Sequence, residues 1–356
     1  MWSMALRRGS VALHGPHIAR RGRASLTESF AELALGTGRR GERCDSLTDE
    51  MREERAMHAL RIENSDADPA TLAMIRRLRL GREKGWHDQK RASQRKAKLS
   101  ARLAHPAVEL GKTSGLTGDD LLKVNRYRLP EVALFGHSNC GKSALLNALV
   151  GVRARTGIAE VDSRAGWTMR LHFYWVRPRG LLDKAAAGSE RGAVLVDTPG
   201  YGHAVGERAE LRHWRSLIDT YIDTSPSLRL ALLLIDCTRG LCDADRRVLR
   251  LLSARGVRTI AALTKCDLLA PDPLARSHRV VLAQIDEANR RRDGAPVDPR
   301  GARLSLLSSH FYTGIEQLWD ELDHELRLQM PCGDQIDSGR CGSHGRTIVE
   351  RRNDHM

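Results

Sequence analysis

The sequence predicts an α/β fold over residues 129–330: a mostly parallel six-stranded sheet with helices on both faces. Three observations predict it. Apolar strand-like runs alternate with amphipathic helix-like runs, the pattern that buries a sheet between two helical layers. A glycine-rich loop, Gly136 to Ser143, lies directly between the first such strand and the first such helix. Short polar motifs recur just past the ends of later strands, which is where open parallel sheets hold ligands.

The expected strands are residues 131–135, 170–176, 193–196, 229–235, 257–263 and 303–308. The expected helices between and after them are residues 142–150, 210–222, 243–254, 274–289 and 314–328. No internal repeat appears, and no uninterrupted apolar run reaches the length of a bilayer-spanning helix. Stable membrane insertion is therefore not expected.

Four motifs carry chemistry. Gly136-His137-Ser138-Asn139-Cys140-Gly141-Lys142-Ser143 fits GxxxxGK[ST] in the required strand–loop–helix context. Its glycines let successive backbone N–H groups turn inward onto phosphate oxygens, and the helix N-terminus adds its positive dipole end. Lys142 is expected on the β- and γ-phosphates and Ser143 on Mg²⁺. Asp197-Thr198-Pro199-Gly200 follows the third strand: its carboxylate can hold Mg²⁺ through water and the Gly200 amide can bond the γ-phosphate. Thr264-Lys265-Cys266-Asp267 ends the fifth strand. There Asp267 can accept from guanine N1–H and the N2 amine, while Lys265 lays its stem over the base. Adenine has no donor at N1, so it would leave that carboxylate unpaired, which discriminates by several kcal/mol. Ser308-Ser309, before Gly314, can offer backbone groups to guanine O6. The competing reading of each string is an ordinary surface turn; the four in order at successive strand ends are far more specific than any one. The expected ligands are GTP or GDP with Mg²⁺.

The remaining chain is read from composition. There are 58 Lys+Arg against 44 Asp+Glu, a net charge of +14, which favours a polyanion partner. Seven cysteines without a CxxC pair suggest neither a disulfide framework nor a zinc site. Residues 1–27 are arginine-rich, contain no acid and are partly apolar; they read as an organelle transit peptide, with a basic tail as the alternative. Residues 28–70 read as poorly ordered. Residues 71–103 read as a basic helix or arm, either contacting RNA phosphates or forming a solvated surface. Residues 104–128 read as a linker and 331–356 as a disordered tail.

Together the motifs resemble the EngB-type (YihA/YsxC) ribosome-biogenesis GTP-binding proteins of the TrmE-Era-EngA-EngB-like GTPase superfamily. Glu131-Val-Ala-Leu-Phe-Gly-His-Ser-Asn-Cys-Gly-Lys-Ser-Ala-Leu-Leu-Asn-Ala-Leu149 looks like that family's signature segment, and Asp197-Thr-Pro-Gly-Tyr-Gly202 resembles its DLPGYG. Ser163-Arg-Ala-Gly166-Trp-Thr168 resembles its first-switch segment SKTPGRT; Trp214, Tyr221, Leu228 and Asp236 match its later pattern. The resemblance implies a P-loop GTPase G domain. It makes Thr168 a second Mg²⁺ ligand beside Ser143 and Asp197, and sets Gly166 at the nucleotide. Lys142, Thr168 and Gly200 are then the catalytic groups. It further implies work on a large ribosomal subunit precursor, through rRNA and ribosomal proteins, by a chain monomeric off the ribosome. With the transit-like N-terminus the expected compartment is the mitochondrial matrix, with the plastid as the alternative.

Departures are Ala165 for the switch proline, Trp167 for its arginine, no arginine near Ser225, Leu268 for a lysine, and an insertion at residues 178–191. Tyr201 stands where Ras-like enzymes place the glutamine that orients water, so slow intrinsic hydrolysis with help in trans is expected. Helpers considered are rRNA, a protein finger or K⁺ held through Asn139. A different class of reading is an RNA-binding assembly scaffold with a nearly inert GTP site. A membrane or organelle-division GTPase is disfavoured by the lack of an amphipathic membrane helix and of coiled-coil repeats.

Overall fold

A computed structural model describes residues 49–81, 86–103, 106–114, 117–152, 157–159, 170–177, 192–201, 208–290 and 303–329. Their elements, in order, are α1 (Asp49–Glu63), α2 (Pro69–Leu78), α3 (Trp86–Arg102), β1 (Val108–Thr113), α4 (Gly118–Val124), β2 (Glu131–Gly136), α5 (Lys142–Leu149) and β3 (Leu171–Val176). There follow β4 (Ala193–Asp197), α6 (Arg208–Thr224), β5 (Leu228–Asp236), α7 (Asp243–Ala254), β6 (Arg258–Thr264), α8 (Pro271–Ala288), β7 (Leu304–Leu306) and α9 (Ile315–Gln329).

The strands form one sheet in the order β1-β3-β4-β2-β5-β6-β7. The run β4-β2-β5-β6-β7 is parallel; β3 is antiparallel to β4, and β1 is antiparallel to β3. Period-two alternation sorts the central strands onto two cores. Ala133, Phe135, Ala231, Leu233 and Ile235 face one side, with Ile62 of α1, Ile75 of α2 and the inner faces of α6, α7 and α8. Val132, Leu134, Leu230, Leu232 and Leu234 face the other, with Leu99 of α3, the leucines of α5 and Trp319 of α9. Because both faces are covered, β2 reads as a continuous apolar run after Glu131, with every residue buried.

The expected six strands are all present, and a seventh corrects the count. β1 arises in the segment read as a linker, and α4 follows it there, capped by Thr117 Oγ1 accepting from Asp120 N at 3.2 Å. β1 is a half-exposed edge strand with a bulge between Glu109 and Gly111. An edge facing water needs no apolar run, so its glycine and charges disguised it.

The N-terminal region departs further from expectation. Within the stretch read as poorly ordered, residues from Asp49 onward form α1, and Pro69 opens α2 behind an Asp68 N-cap that accepts from Thr71 N at 2.8 Å. α1 turns only His58 and Ile62 fully inward among its described side chains, which is too sparse a stripe to show as a period. Residues 1–48 and 330–356, hence the transit-peptide and tail readings, lie outside the described residues, as does the insertion at 178–191. No helix among the described residues is long and apolar enough to cross a membrane.

His58 is 1% exposed, and its Nε2 meets Ser277 Oγ on α8 at 3.1 Å. Burial lowers its pKa to about 4, opposed by the Cys237 backbone and Asp236 and assisted by Arg61. Between pH 6.5 and 4 the unfolded chain therefore binds a proton that the folded chain refuses, so stability falls as pH falls. We expect about 2 kcal/mol to be lost through this group from pH 7.5 to pH 5. Denaturant unfolding across that range should show this extra slope, and His58→Leu should flatten it.

Candidate functional site

The site gathers at the carboxyl ends of β2, β4, β5, β6 and β7. β2 runs into the loop 137–141, and α5 starts at Lys142. Gly136 has φ +152°, and a Cβ there would lie 2.6 Å from both Cys140 Sγ and Leu234 O; the glycine is needed for conformation and for space. Gly141, the α5 N-cap, has φ +103°, and Asn139 adopts φ +60°, which asparagine tolerates better than most side chains. The Lys142 ammonium reaches back over the loop and donates to Gly136 O at 2.9 Å and His137 O at 3.1 Å. His137 Nδ1 lies 2.8 Å from Ser138 O. Cys140 is buried, and burial pushes its thiol up, so it stays a neutral filler.

The segment after β4 docks directly on this loop. Ser138 N donates to Tyr201 O at 2.8 Å, and Thr198 Oγ1 donates to Leu134 O at 2.7 Å. Gly200 packs so closely that a Cβ would come within 2.7 Å of Lys142 Nζ, Ser138 Cα and Ser138 Oγ. Ser143 Oγ donates to Asp197 Oδ2 at 2.7 Å, uniting two of the residues expected at the metal. Asp197 Oδ1 is buried with no hydrogen-bond partner among the described residues. Burial raises the carboxyl's pKa, with Lys142 and the Ser143 bond opposing. A hydroxyl beside a carboxylate with an unused oxygen fits a hard, oxygen-seeking cation such as Mg²⁺. Thr168 and Gly166, the other expected residues of this side, lie outside the described residues.

The base side is built equally tightly. Thr264 Oγ1 donates to Cys140 O at 2.7 Å, tying β6 to the phosphate loop. Lys265 sits at φ +57°, and its Nζ lies 3.0 Å from Asp236 Oδ2. Asp267 Oδ1 accepts from Ser308 Oγ at 2.6 Å, so the expected base-reading carboxylate and the loop after β7 are one unit. Ser309 follows Ser308 and is half-buried. The structure thus brings together the described members of all four motifs.

Tyr201 behaves differently from a solvent-orienting group. It is 3% exposed and its hydroxyl donates to Asp245 of α7, with the ring in the core below the sheet. Sequence reasoning gave no role to two buried acids, Asp236 at the site and Glu131 at the opposite, amino end of β2. Asp236 is flanked by Lys265 and Arg55; burial would raise its pKa, but these cations and the Thr238 bonds hold it well below the usual range. Glu131 accepts from Asn125 Nδ2 at 2.7 Å and from Tyr221 Oη and Ser225 Oγ, each at 2.8 Å. Ser225, beside which the resemblance leads one to expect an arginine, is thus a neutral donor to a carboxylate whose pKa burial raises. An acid opening an otherwise apolar strand was the available signal.

Comparison with known proteins agrees with the geometry. A family model described as "50S ribosome-binding GTPase" matches residues 131–265. A protein of Alkaliphilus metalliredigens described as "Probable GTP-binding protein EngB" is 33% identical over 195 residues, covering 55% of this chain and 81% of the relative. A Geobacter metallireducens protein of the same description is 34% identical over 195 residues, covering 55% and 82%. One from Rhodospirillum rubrum is 34% identical over 192 residues, covering 51% and 78%.

Proposed function

The chain belongs to the EngB family of GTP-binding proteins, and on that premise we propose that it is a GTPase switch acting in assembly of the large ribosomal subunit of an organelle, the mitochondrion first and the plastid second. The observation that carries the enzymatic reading is the Ser143–Asp197 pair, 2.7 Å apart with Asp197 Oδ1 unused, set beside Lys142 and Gly200. The loop amides and Lys142 would hold the β- and γ-phosphates, and the Gly200 amide the γ-phosphate. Ser143, Asp197 and Thr168 would hold Mg²⁺, which when bound neutralises charge developing on the phosphate oxygens. Asp267 and Lys265 read and cover guanine.

Hydrolysis through this chain's own groups should be slow, because Tyr201 is committed to Asp245 and leaves attacking water unoriented. That same observation favours a second reading, a ribosome-assembly scaffold whose GTP site is nearly inert. The ribosomal role is supported by the description of the matching family model and by the net charge of +14. The organellar role is supported by the arginine-rich, acid-free residues 1–27.

Single-turnover hydrolysis, with and without immature large subunits of the organelle, tests the switch: acceleration by the subunits is expected, and unchanged slow turnover would favour the scaffold. Co-sedimentation of tagged protein in GTP versus GDP should show large-subunit particles preferentially in GTP. Turnover in potassium should exceed that in sodium if Asn139 helps hold the cation; equal rates remove that proposal.

A further inference from the structure

We propose that the N-terminal helices are part of the base pocket, with Arg55 of α1 and Arg95 of α3 acting as positioning residues for the two base-reading motifs. The inference rests on guanine-nucleotide binding at this site. On one face of the sheet, Asp236 ends β5 and its Oδ2 takes Lys265 Nζ at 3.0 Å and Arg55 Nη2 at 4.0 Å. Its Oδ1 accepts from Thr238 N at 2.9 Å and Thr238 Oγ1 at 2.7 Å, so the carboxylate cannot swing away. α1 is itself pinned there: Glu54 Oε2 accepts from Arg239 Nε at 2.6 Å, and His58 meets Ser277, which donates to Cys237 O at 2.9 Å.

On the other face, Arg95 Nη1 donates to Thr313 Oγ1 at 2.6 Å and to Phe311 O at 3.2 Å. Thr313 and Ser308 exchange two backbone hydrogen bonds, each 3.0 Å. Ser308 Oγ then donates to Asp267 Oδ1. A chain of three contacts therefore runs from the α3 guanidinium to the carboxylate that reads guanine. The two routes differ in what they hold. Arg55 acts, through Asp236, on the lysine that covers the base plane. Arg95 acts on the acid that takes the N1–H and N2 amine. Charge-assisted bonds such as those of Arg95 are the strong ones, and a misplaced acceptor loses the geometry they need, whereas Arg55, at 4.0 Å, acts on Asp236 through its charge.

The test uses the full chain. GDP and IDP, which lacks only the N2 amine, are compared for dissociation constant and release rate, with thermal melting alongside. Arg95→Ala is expected to speed GDP release roughly tenfold and IDP release only about threefold, because IDP offers the acid its N1–H but no amine, so the GDP-over-IDP preference falls about threefold. Arg95→Lys should recover part of the loss. Arg55→Ala should speed GDP and IDP release alike, with their ratio kept. The proposal is overturned if Arg95→Ala keeps the wild-type release rate and preference. Equal acceleration of both nucleotides in Arg95→Ala with a lowered melting temperature would also overturn it, as a general loosening of the fold. Failure of the wild-type chain to prefer GDP over IDP or ADP would instead remove the guanine reading on which it rests.

Discussion

Replacing Asp267 with asparagine will cost guanine nucleotides about two to four powers of ten in affinity and will shift preference toward xanthine nucleotides. The carboxylate offers two acceptors; Ser308 Oγ occupies part of Oδ1 at 2.6 Å and leaves the outward lone pairs for the base. Guanine presents two donors, N1–H and the N2 amine. An amide opposes one of them with its own NH₂, losing a charge-assisted hydrogen bond and leaving a donor facing a donor. Each of those losses is worth about 1.5–3 kcal/mol, and 1.4 kcal/mol is tenfold. Xanthine carries a carbonyl in place of the amine and accepts from the new NH₂. Equilibrium titration with fluorescent GDP and XDP measures both arms. An Asp267→Asn protein that still prefers GDP would show that the carboxylate does not read the base.

Gly200→Ala will separate hydrolysis from nucleotide binding. The new methyl would lie 2.7 Å from Ser138 Cα and Lys142 Nζ. The lysine can yield, but Ser138 is held by its own N–H to Tyr201 O at 2.8 Å, so the segment after β4 must lift off the phosphate loop. That withdraws the Gly200 amide from the developing charge on the γ-phosphate. Loss of one such preorganised donor costs on the order of 10²–10³ in rate. GDP, which lacks that phosphate, should bind within a few-fold of wild type. Single-turnover GTP hydrolysis beside GDP titration provides the check, and unimpaired turnover would mean that Gly200 plays no part in the reaction.

The nucleotide-binding loops were legible because each is a short contiguous string whose chemistry depends on neighbours along the chain. Gly136 must be glycine for a contact with Cys140, four residues on, and Lys142 bonds the carbonyl of Gly136, six residues back. The central strands were legible for a related reason: burial on both faces leaves an apolar run that no loop would carry. β1 and α1 were not, since an edge strand and a helix that fully buries only two of its described side chains need few apolar positions. Tyr201 could be placed beside the γ-phosphate from its position after DTPG, but its commitment to Asp245, 44 residues later, could not.

What the sequence by itself determined is the ligand class and the parallel α/β frame, because phosphate cradling and strand burial are written in local pattern. What only the tertiary structure decided is how the N-terminal residues are used. Arg95 meets Thr313 across 218 residues, and His58 meets Ser277 across 219. Contacts at such separation leave no period or spacing in the chain, since they depend on where packing of the apolar faces brings the helices to rest; a basic arm that reads as either an RNA contact or a solvated surface therefore also becomes, once folded, a brace on the loops that hold the base.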